Sequence, residues 1–215
     1  MRVLNWLESP DPTLTAAVEC LRQGGLVAFP TDTLYGLAAD VGNDEAVQRL
    51  FRAERRPVET PLPILVATIE QAATLTASMS ILTLKLGDLY WPGPLTMVLQ
   101  RSPAFESLAL AGGDSVALRL PNHDVPLALI RTLGRPITGT SANRSGQPAP
   151  RTAEDVVHQL GGDIDIVIDA GPCPLGIEST VVDLRSDRPR ILREGAIRRQ
   201  ELESVTGVQF DVAEE

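Results

Sequence analysis

The amino-acid sequence predicts an α/β fold with a mixed β-sheet. Stretches with apolar residues at helical spacing alternate along the chain with short apolar runs of strand length. This alternation is typical of sheets that carry helices on their faces. The chain has 215 residues and shows no internal repeat, low-complexity tract or linker. We therefore expect one domain spanning residues 1–215.

Local signals place the helices in order. Residues 12–23 carry Leu14 and Leu21 on an apolar stripe that ends at Gly24. Asn43 is a suitable N-cap for a second helix, because its side chain can accept a hydrogen bond from the first turn. The remaining helix signals are a capping-box pattern at Thr68 and Gln71 and periodic stretches at residues 152–160 and 198–205.

The strands are predicted at short apolar runs. The first run ends at Pro30, a residue that cannot donate a backbone hydrogen bond to a sheet. The predicted strands cover residues 26–29, 61–67, 96–100, 115–120, 136–140, 164–168, 180–184 and 190–193.

Charge composition narrows the classes of function. Asp and Glu outnumber Lys and Arg by 28 to 19, which gives a formal net charge of −9. Proteins that coat nucleic acid usually carry a basic charge, so the balance argues against that class. It does not exclude a local pocket lined by arginine for a small anion. Lys85 is the single lysine among the 19 basic residues, and genomic composition is the simplest explanation of that imbalance.

Cysteine and histidine content argues against a disulfide framework and a metal site. Cys20 and Cys173 are expected to be separate thiols, and His123 and His158 are too few for a histidine-rich site. The chain begins without an apolar leader, and its apolar runs are far shorter than the roughly 20 residues of a membrane helix. We expect a cytoplasmic protein without a membrane partner, a protein-bound metal or a prosthetic group.

The first segment that suggests chemistry is PTDTLYGL, residues 30–37, directly after a predicted strand. Loops at strand ends are common ligand sites in α/β proteins. Its hydroxyl and carboxylate side chains could bind a small polar substrate. The alternative is a local turn in which the same side chains bond to the backbone.

An arginine cluster comes next along the chain. Arg49, Arg52 and Arg56 are spaced to share one helical face, and Arg55 lies beside them. The planar guanidinium fork suits phosphate. The alternative is a solvated helical face that pairs with Glu45, Glu54 and Glu59.

Two later segments are rich in small and polar residues. GTSANRSG, residues 139–146, would let the backbone approach a ligand and could form an anion nest, although it lacks the Gly-Lys-Ser/Thr ending of a Walker A loop. GIESTVVD, residues 176–183, is followed by ILREG, residues 191–195. Neither contains the Gly-x-Ser-x-Gly turn of a serine hydrolase.

Taken in order, these segments resemble the YrdC-like family of threonylcarbamoyl-AMP synthases, in its short, single-domain bacterial form. Seven blocks in register carry the resemblance, and they span about residues 12 to 205, which is the expected core of the domain. The blocks are PTDTLYGL (30–37), RRP with TPL (55–62), WPGPLT (91–96), VALRLP (116–121), GTSANRSG (139–146), GIESTVVD (176–183) and ILREG (191–195).

The resemblance implies a twisted, open mixed sheet with flanking helices around a deep concave cleft. It implies condensation of L-threonine, bicarbonate and ATP into threonylcarbamoyl-AMP and pyrophosphate, with Mg²⁺ bound mainly through the triphosphate. Downstream transferase proteins would use the product to modify an adenosine next to the anticodon of tRNA. Direct contact with tRNA or double-stranded RNA is a further expectation.

Matched position by position, the family motifs assign L-threonine to Thr33, Arg119 and Ser179. They assign ATP to Arg56, Thr60, Ser115, Ser141, Asn143 and Arg193. Within that set, Arg56, Ser141 and Asn143 are the expected catalytic residues. The carbamate oxygen attacks the α-phosphate without a protein nucleophile, so catalysis would depend on positioning and charge stabilisation.

Position 54 departs from the family pattern. The family usually has a lysine two residues before the arginine matched by Arg56, whereas this chain has Glu54, which would turn an anion toward the triphosphate. Thr60 stands where many members have Asn, and Leu65 stands where longer members have His. The change at position 54 leaves a second hypothesis open, a YrdC-like nucleotide- or RNA-binding paralogue without synthase activity.

Overall fold

The computed structural model describes residues 1–212, which form seven α-helices and twelve strands. The helices are α1 (Pro10–Arg22), α2 (Asp44–Glu54), α3 (Ile69–Leu75), α4 (Ile81–Tyr90), α5 (Asp124–Leu133), α6 (Ala153–Leu160) and α7 (Arg199–Thr206). The strands are β1 (Arg2–Asn5), β2 (Val27–Phe29), β3 (Gly36–Ala38), β4 (Ile64–Leu65), β5 (Leu95–Gln100), β6 (Ser115–Arg119), β7 (Ile137–Thr138), β8 (Thr140–Ser141), β9 (Ile166–Asp169), β10 (Thr180–Asp183), β11 (Arg190–Arg193) and β12 (Asp211–Val212).

The strands form two sheets that both mix parallel and antiparallel pairs. The first sheet has the order β1-β9-β2-β3-β8, and the second has the order β12-β11-β10-β5-β6-β4-β7. In the first, β2 is parallel to β9 and antiparallel to β3. In the second, β10 is parallel to β5 and antiparallel to β11. The predicted α/β class with mixed pairing is confirmed, whereas the expectation of one sheet is wrong.

The chain crosses from one sheet to the other at Gly139. The strand predicted at residues 136–140 is divided into β7, in the second sheet, and β8, in the first. A side chain at position 139 would be crowded, because a Cβ there would lie 2.5 Å from Cγ of Leu65. The crossing therefore depends on a residue without a side chain.

Two apolar clusters hold the layers together. Leu21 of α1 and Ile130 of α5 pack with Phe29 against one face of the first sheet. The second cluster joins Phe51 of α2 with residues of both sheets, including Met97. Each fully buried apolar side chain of this size contributes about 1.5–3 kcal/mol. Within residues 1–212, no helix combines the length and apolar character needed to cross a bilayer.

The N-caps predicted for α2 and α3 are present, but the capping box predicted for α3 is incomplete. Asn43 Oδ1 accepts from the backbone N–H of Ala46 (3.1 Å), and Thr68 Oγ1 accepts from that of Gln71 (3.1 Å). The side chain of Gln71 accepts from the N–H of Ala67 (2.9 Å) instead of that of Thr68, so only half of the capping box forms.

The arginine cluster does not lie on one helical face. α2 ends at Glu54, because Arg55 adopts a left-handed backbone with φ of 52°. Arg56 therefore lies in the loop that follows the helix. The prediction that Arg49, Arg52 and Arg56 share one helical face is therefore wrong for Arg56.

Candidate active site

A cavity of about 390 Å³ is lined by both sheets. The alternation of side chains along the strands builds its wall. In β6, Ser115, Ala117 and Arg119 line the cavity. The residues between them, Val116 and Leu118, belong to the apolar core. One short strand thus supplies both the polar surface of a site and the packing that fixes it.

Seven of the nine residues predicted for the site line this cavity. They are Thr33, Arg56, Ser115, Arg119, Ser141, Ser179 and Arg193.

Thr60 and Asn143 lie outside the wall of the cavity. The Asn143 side-chain amide donates to the backbone oxygens of Arg144 (3.0 Å) and Gln147 (2.9 Å), so it shapes the 139–146 loop. Thr60 donates its backbone N–H to Pro57 (3.1 Å) and closes a turn. The ATP contacts predicted for these two residues are therefore not visible in the cavity wall.

Arg119 anchors the end of the cavity assigned to L-threonine. Its Nη1 donates to Thr33 Oγ1 (2.8 Å), its Nη2 to Asp32 Oδ1 (2.5 Å) and its Nε to the backbone oxygen of Gly93 (3.0 Å). A guanidinium has five N–H donors, so five minus three leaves two for a ligand. Burial lowers the pKa of Arg119, which is 6% exposed, and the adjacent Asp32 carboxylate opposes that shift.

The PTDTLYGL segment serves both of the roles considered for it. Thr31 forms a local turn, since its Oγ1 accepts from the N–H of Thr33 (3.0 Å) and donates to the backbone oxygen of Leu34 (2.7 Å). Thr33 lines the cavity, and Asp32 lies behind it, paired with Arg119. Asp32 belongs to the motif without an assigned role, and its ion pair holds Arg119 in position at the cavity.

Ser179 and Arg193 form a second polar group in the wall. Ser179 Oγ hydrogen-bonds to Thr96 Oγ1 (2.9 Å), and Arg193 Nη2 donates to Ser179 Oγ (3.2 Å). Glu178 pairs with Arg193 Nη1 at 3.0 Å. The strand geometry therefore brings a serine assigned to threonine and an arginine assigned to ATP into direct contact.

Arg56 lies in the wall with donors still free. Its Nη2 donates to the backbone oxygen of Pro61 (3.2 Å), and its buried Nε has no hydrogen-bond partner among residues 1–212. A buried guanidinium N–H without an acceptor is unusual. Because the side chain lines the cavity, its other guanidinium N–H groups can donate to an anionic ligand there.

Glu54 does not face the cavity, contrary to the expectation from the family motif. The side chain is buried behind Thr140, which lines the wall, and its Oε1 accepts from Thr140 Oγ1. Burial raises the pKa of Glu54 to about 7, and both the Thr140 hydrogen bond and the charge of Arg56 oppose that shift. The expected anion facing a triphosphate is thus a carboxyl buried beneath the wall, in surroundings that favour its protonated form.

Arg185 is a cavity residue that sequence reasoning missed. Its guanidinium is held by Asp183, with Nε to Oδ1 at 3.0 Å and Nη2 to Oδ2 at 2.8 Å, and by Asp114 at 3.4 Å. It lines the cavity together with Ser115. The available signal was its place two residues after Asp183, at the end of a predicted strand.

Other candidate groups lie apart from the cavity wall. Arg49 pairs with Asp165 (2.9 Å) and donates to the backbone oxygen of Gly24 (2.9 Å), which favours the structural interpretation for this arginine. Cys20 and Cys173 are free thiols, as predicted. Burial raises the pKa of each to about 11, so neither is a reactive thiolate at neutral pH.

Comparison with known proteins adds independent information on the family. The Sua5/YciO/YrdC family model, described as "Telomere recombination", matches residues 19–195. A Bacillus subtilis (strain 168) protein named threonylcarbamoyl-AMP synthase is 41% identical over 206 residues, covering 95% of this chain and 60% of that protein. A Pyrococcus abyssi protein of the same name is 42% identical over 187 residues, covering 87% of this chain and 55% of that protein.

The fold is similar to solved structures over almost its whole length. The crystal structure of Pyrococcus abyssi Sua5 complexed with L-threonine aligns with a TM-score of 0.92 and 37% identity. The alignment covers 99% of this chain and 63% of that one. The chain thus spans about three fifths of the length of these three relatives.

Proposed function

The chain belongs to the Sua5/YciO/YrdC family, and on that premise we propose that it is a threonylcarbamoyl-AMP synthase acting in the cytoplasm. It would condense L-threonine, bicarbonate and ATP into threonylcarbamoyl-AMP and pyrophosphate. One observation supports this most strongly. Arg119 is buried in the cavity with two N–H donors to spare, next to Thr33 and in the same wall as Arg56 and Arg193.

The reaction proceeds in two steps that need no protein nucleophile. The amine of threonine attacks the carbon of bicarbonate, and water leaves, which gives the N-carboxylate. An oxygen of that carbamate then attacks the α-phosphorus of ATP, and the bond to the β-phosphate oxygen breaks to release pyrophosphate. The carbamate intermediate and the threonylcarbamoyl-AMP product are both labile in water, so an enclosed cavity protects them.

The residues of the wall divide between the two substrates. Arg119 pairs with the threonine carboxylate, and the hydroxyls of Thr33 and Ser179 hold the rest of the amino acid in place. Arg56 and Arg193 neutralise the phosphates, and Ser141 orients them. We assign Ser115 and Arg185 to the nucleotide as well. Thr60 and Asn143, which lie outside the wall, stay predictions from the family motifs.

Mg²⁺ enters this scheme as part of the substrate. It takes oxygen ligands and is commonly bound through phosphates with few protein ligands. Hydroxyl oxygens of Ser115 and Ser141 in the wall are donors of the right type. The ion would offset the negative charge of the triphosphate, while the arginines hold the triphosphate in position.

The product leads on to partner proteins. Threonylcarbamoyl-AMP is a reactive mixed anhydride, so a downstream transferase must take it up to modify tRNA adenosine. Because Glu54 is buried outside the cavity wall, it does not turn an anion toward the triphosphate. This weakens the case for a paralogue without synthase activity, while the cation that the family usually has at position 54 is still absent.

Release of pyrophosphate tests the proposal. Purified protein with MgATP and bicarbonate should release pyrophosphate only when L-threonine is present. Arg119→Lys loses the guanidinium fork, so we expect the KM for threonine to rise by about tenfold or more, with the KM for ATP nearly unchanged. Arg49→Lys, which changes the same residue type outside the cavity, is the matched control.

Release that does not depend on threonine would contradict the synthase function. An unchanged threonine KM in Arg119→Lys would contradict the assignment of the carboxylate site.

A further inference from the structure

Glu54 connects the end of α2 to both ends of the loop that lines the candidate ATP site. It is 2% exposed. Its carboxyl accepts the hydroxyl of Thr140, and its backbone oxygen accepts the N–H of Ser145 (2.7 Å). Thr140 lines the cavity, whereas Glu54 does not. A single side chain therefore separates a buried carboxyl from the cavity.

The surroundings of Glu54 leave its charge poorly compensated. From β8 it is faced by the uncharged Thr140, and its own helix presents its C-terminal, negative end. Among residues 1–212, Arg56 is the cation that acts on it. Burial without a full counter-charge favours the protonated form, and the pKa of Glu54 is raised to about 7.

Arg56 is also the residue assigned to the phosphates of ATP. Arg56 lines the cavity, so a phosphate that binds its guanidinium draws on the charge that partly stabilises ionised Glu54. The phosphates also bring negative charge to the other side of Thr140. Both effects disfavour the carboxylate further.

We propose that Glu54 takes up a proton when ATP binds, which couples nucleotide affinity to pH through the Thr140 contact. This inference rests on the proposed function, because it requires ATP in the cavity. The neutral acid keeps its bond to Thr140, since a hydroxyl can accept from a carboxylic acid or donate to it. By linkage, affinity falls as pH rises across the titration of Glu54, by less than tenfold per pH unit.

Calorimetry measures the proton directly. The full chain is titrated with the magnesium complex of α,β-methylene ATP, which cannot react, at pH 7.5 in buffers of different ionisation enthalpy. The slope of the heat against that enthalpy gives the protons taken up. We expect the wild type to take up a clear fraction of a proton more than Glu54→Gln, whose amide oxygen still accepts from Thr140. Glu45→Gln, an exposed change on the same helix, should behave as the wild type.

The outcomes separate the two proposals. No nucleotide binding by the wild type would overturn the proposed function. Binding with equal proton uptake in the wild type and Glu54→Gln would overturn the coupling. If Glu54→Gln does not fold, the infrared difference spectrum of the wild type decides: a gain of protonated-carboxyl absorption on binding supports the coupling, and its absence overturns it.

Discussion

Glu54 is a carboxyl that the fold buries without a full counter-charge, and its ionisation opposes folding. Its pKa is raised from 4.5 to about 7, so the folded chain binds this proton more tightly than the unfolded chain. The stability it contributes is fully present below pH 4.5 and is lost as pH rises through 7. Glu54→Gln should therefore gain about 2 kcal/mol in unfolding free energy, relative to the wild type, between about pH 5 and pH 8. Urea unfolding at the two pH values measures the difference.

Urea unfolding of Glu45→Gln at the same two pH values is the control, because that carboxyl is exposed and its replacement should leave the pH dependence of the unfolding free energy unchanged. A difference between wild type and Glu54→Gln that is equal at both pH values would show that Glu54 titrates normally.

Single residues could be assigned from sequence only where a motif names them. Arg119 and Thr33 stand in recognisable blocks, and the structure brings both to the cavity. The ion pair of Arg119 with Asp32 joins positions 87 residues apart, and no local pattern records such a contact. Arg185 was missed although its partner Asp183 is two residues away, because the residues with which it lines the cavity, such as Ser115, come from distant segments.

The β7–β8 crossing is the element on which the cavity wall depends. Gly139→Ala would place a Cβ 2.5 Å from Cγ of Leu65, a buried residue of β4. Either Leu65 or the crossing must move, and such overpacking destabilises by about 1–3 kcal/mol. We expect this loss in urea unfolding, together with weaker nucleotide binding because Thr140 and Ser141 follow directly.

Gly162→Ala is the matched control for this variant, because a Cβ at position 162 meets nothing within 4 Å. Equal stability of the two variants would show that the crossing tolerates a side chain at position 139.

Most elements with clear local signals were predicted, but helix α5 was missed although its apolar stripe and its C-cap Gly134 are both visible in the sequence. β4 is much shorter than the run at residues 61–67, because Pro61 and Pro63 cannot donate to a sheet. Helix α4 was missed since it exposes Ile81 and Leu84, which blurs its apolar stripe. The division of residues 136–140 between two sheets depends on tertiary packing at Gly139, which periodicity does not encode.

At the scale of the whole molecule, charge is distributed unevenly. The protein carries a net charge of −9, yet the charged residues of the cavity wall are four arginines and one glutamate. They are Arg56, Arg119, Arg185, Arg193 and Glu178. Three of these arginines are paired with carboxylates, Arg119 with Asp32, Arg185 with Asp183 and Arg193 with Glu178. The wall of an acidic chain thus offers guanidinium N–H donors to an anionic ligand without a large net positive charge. All basic residues of the cavity wall are arginines, and their planar guanidinium groups suit carboxylate and phosphate.

Under the proposed function, the two-sheet architecture brings the residues assigned to the two substrates into one cavity. β3 and β8 of the first sheet supply one side, and β5, β6 and β10 of the second supply the other. The residues assigned to the L-threonine substrate meet those assigned to the phosphates of ATP where Arg193 contacts Ser179. This contact places the assigned threonine and nucleotide groups within reach of each other, as a direct attack of carbamate on the α-phosphate requires.

The most direct test of this function is the identity of the product. The protein is incubated with L-threonine, ¹³C-bicarbonate and MgATP, and the mixture is analysed by mass spectrometry. We expect threonylcarbamoyl-AMP that carries the ¹³C label and forms only when all three substrates are present. Nucleotide hydrolysis without a labelled adenylate, or nucleotide bound without any product, would contradict the synthase function.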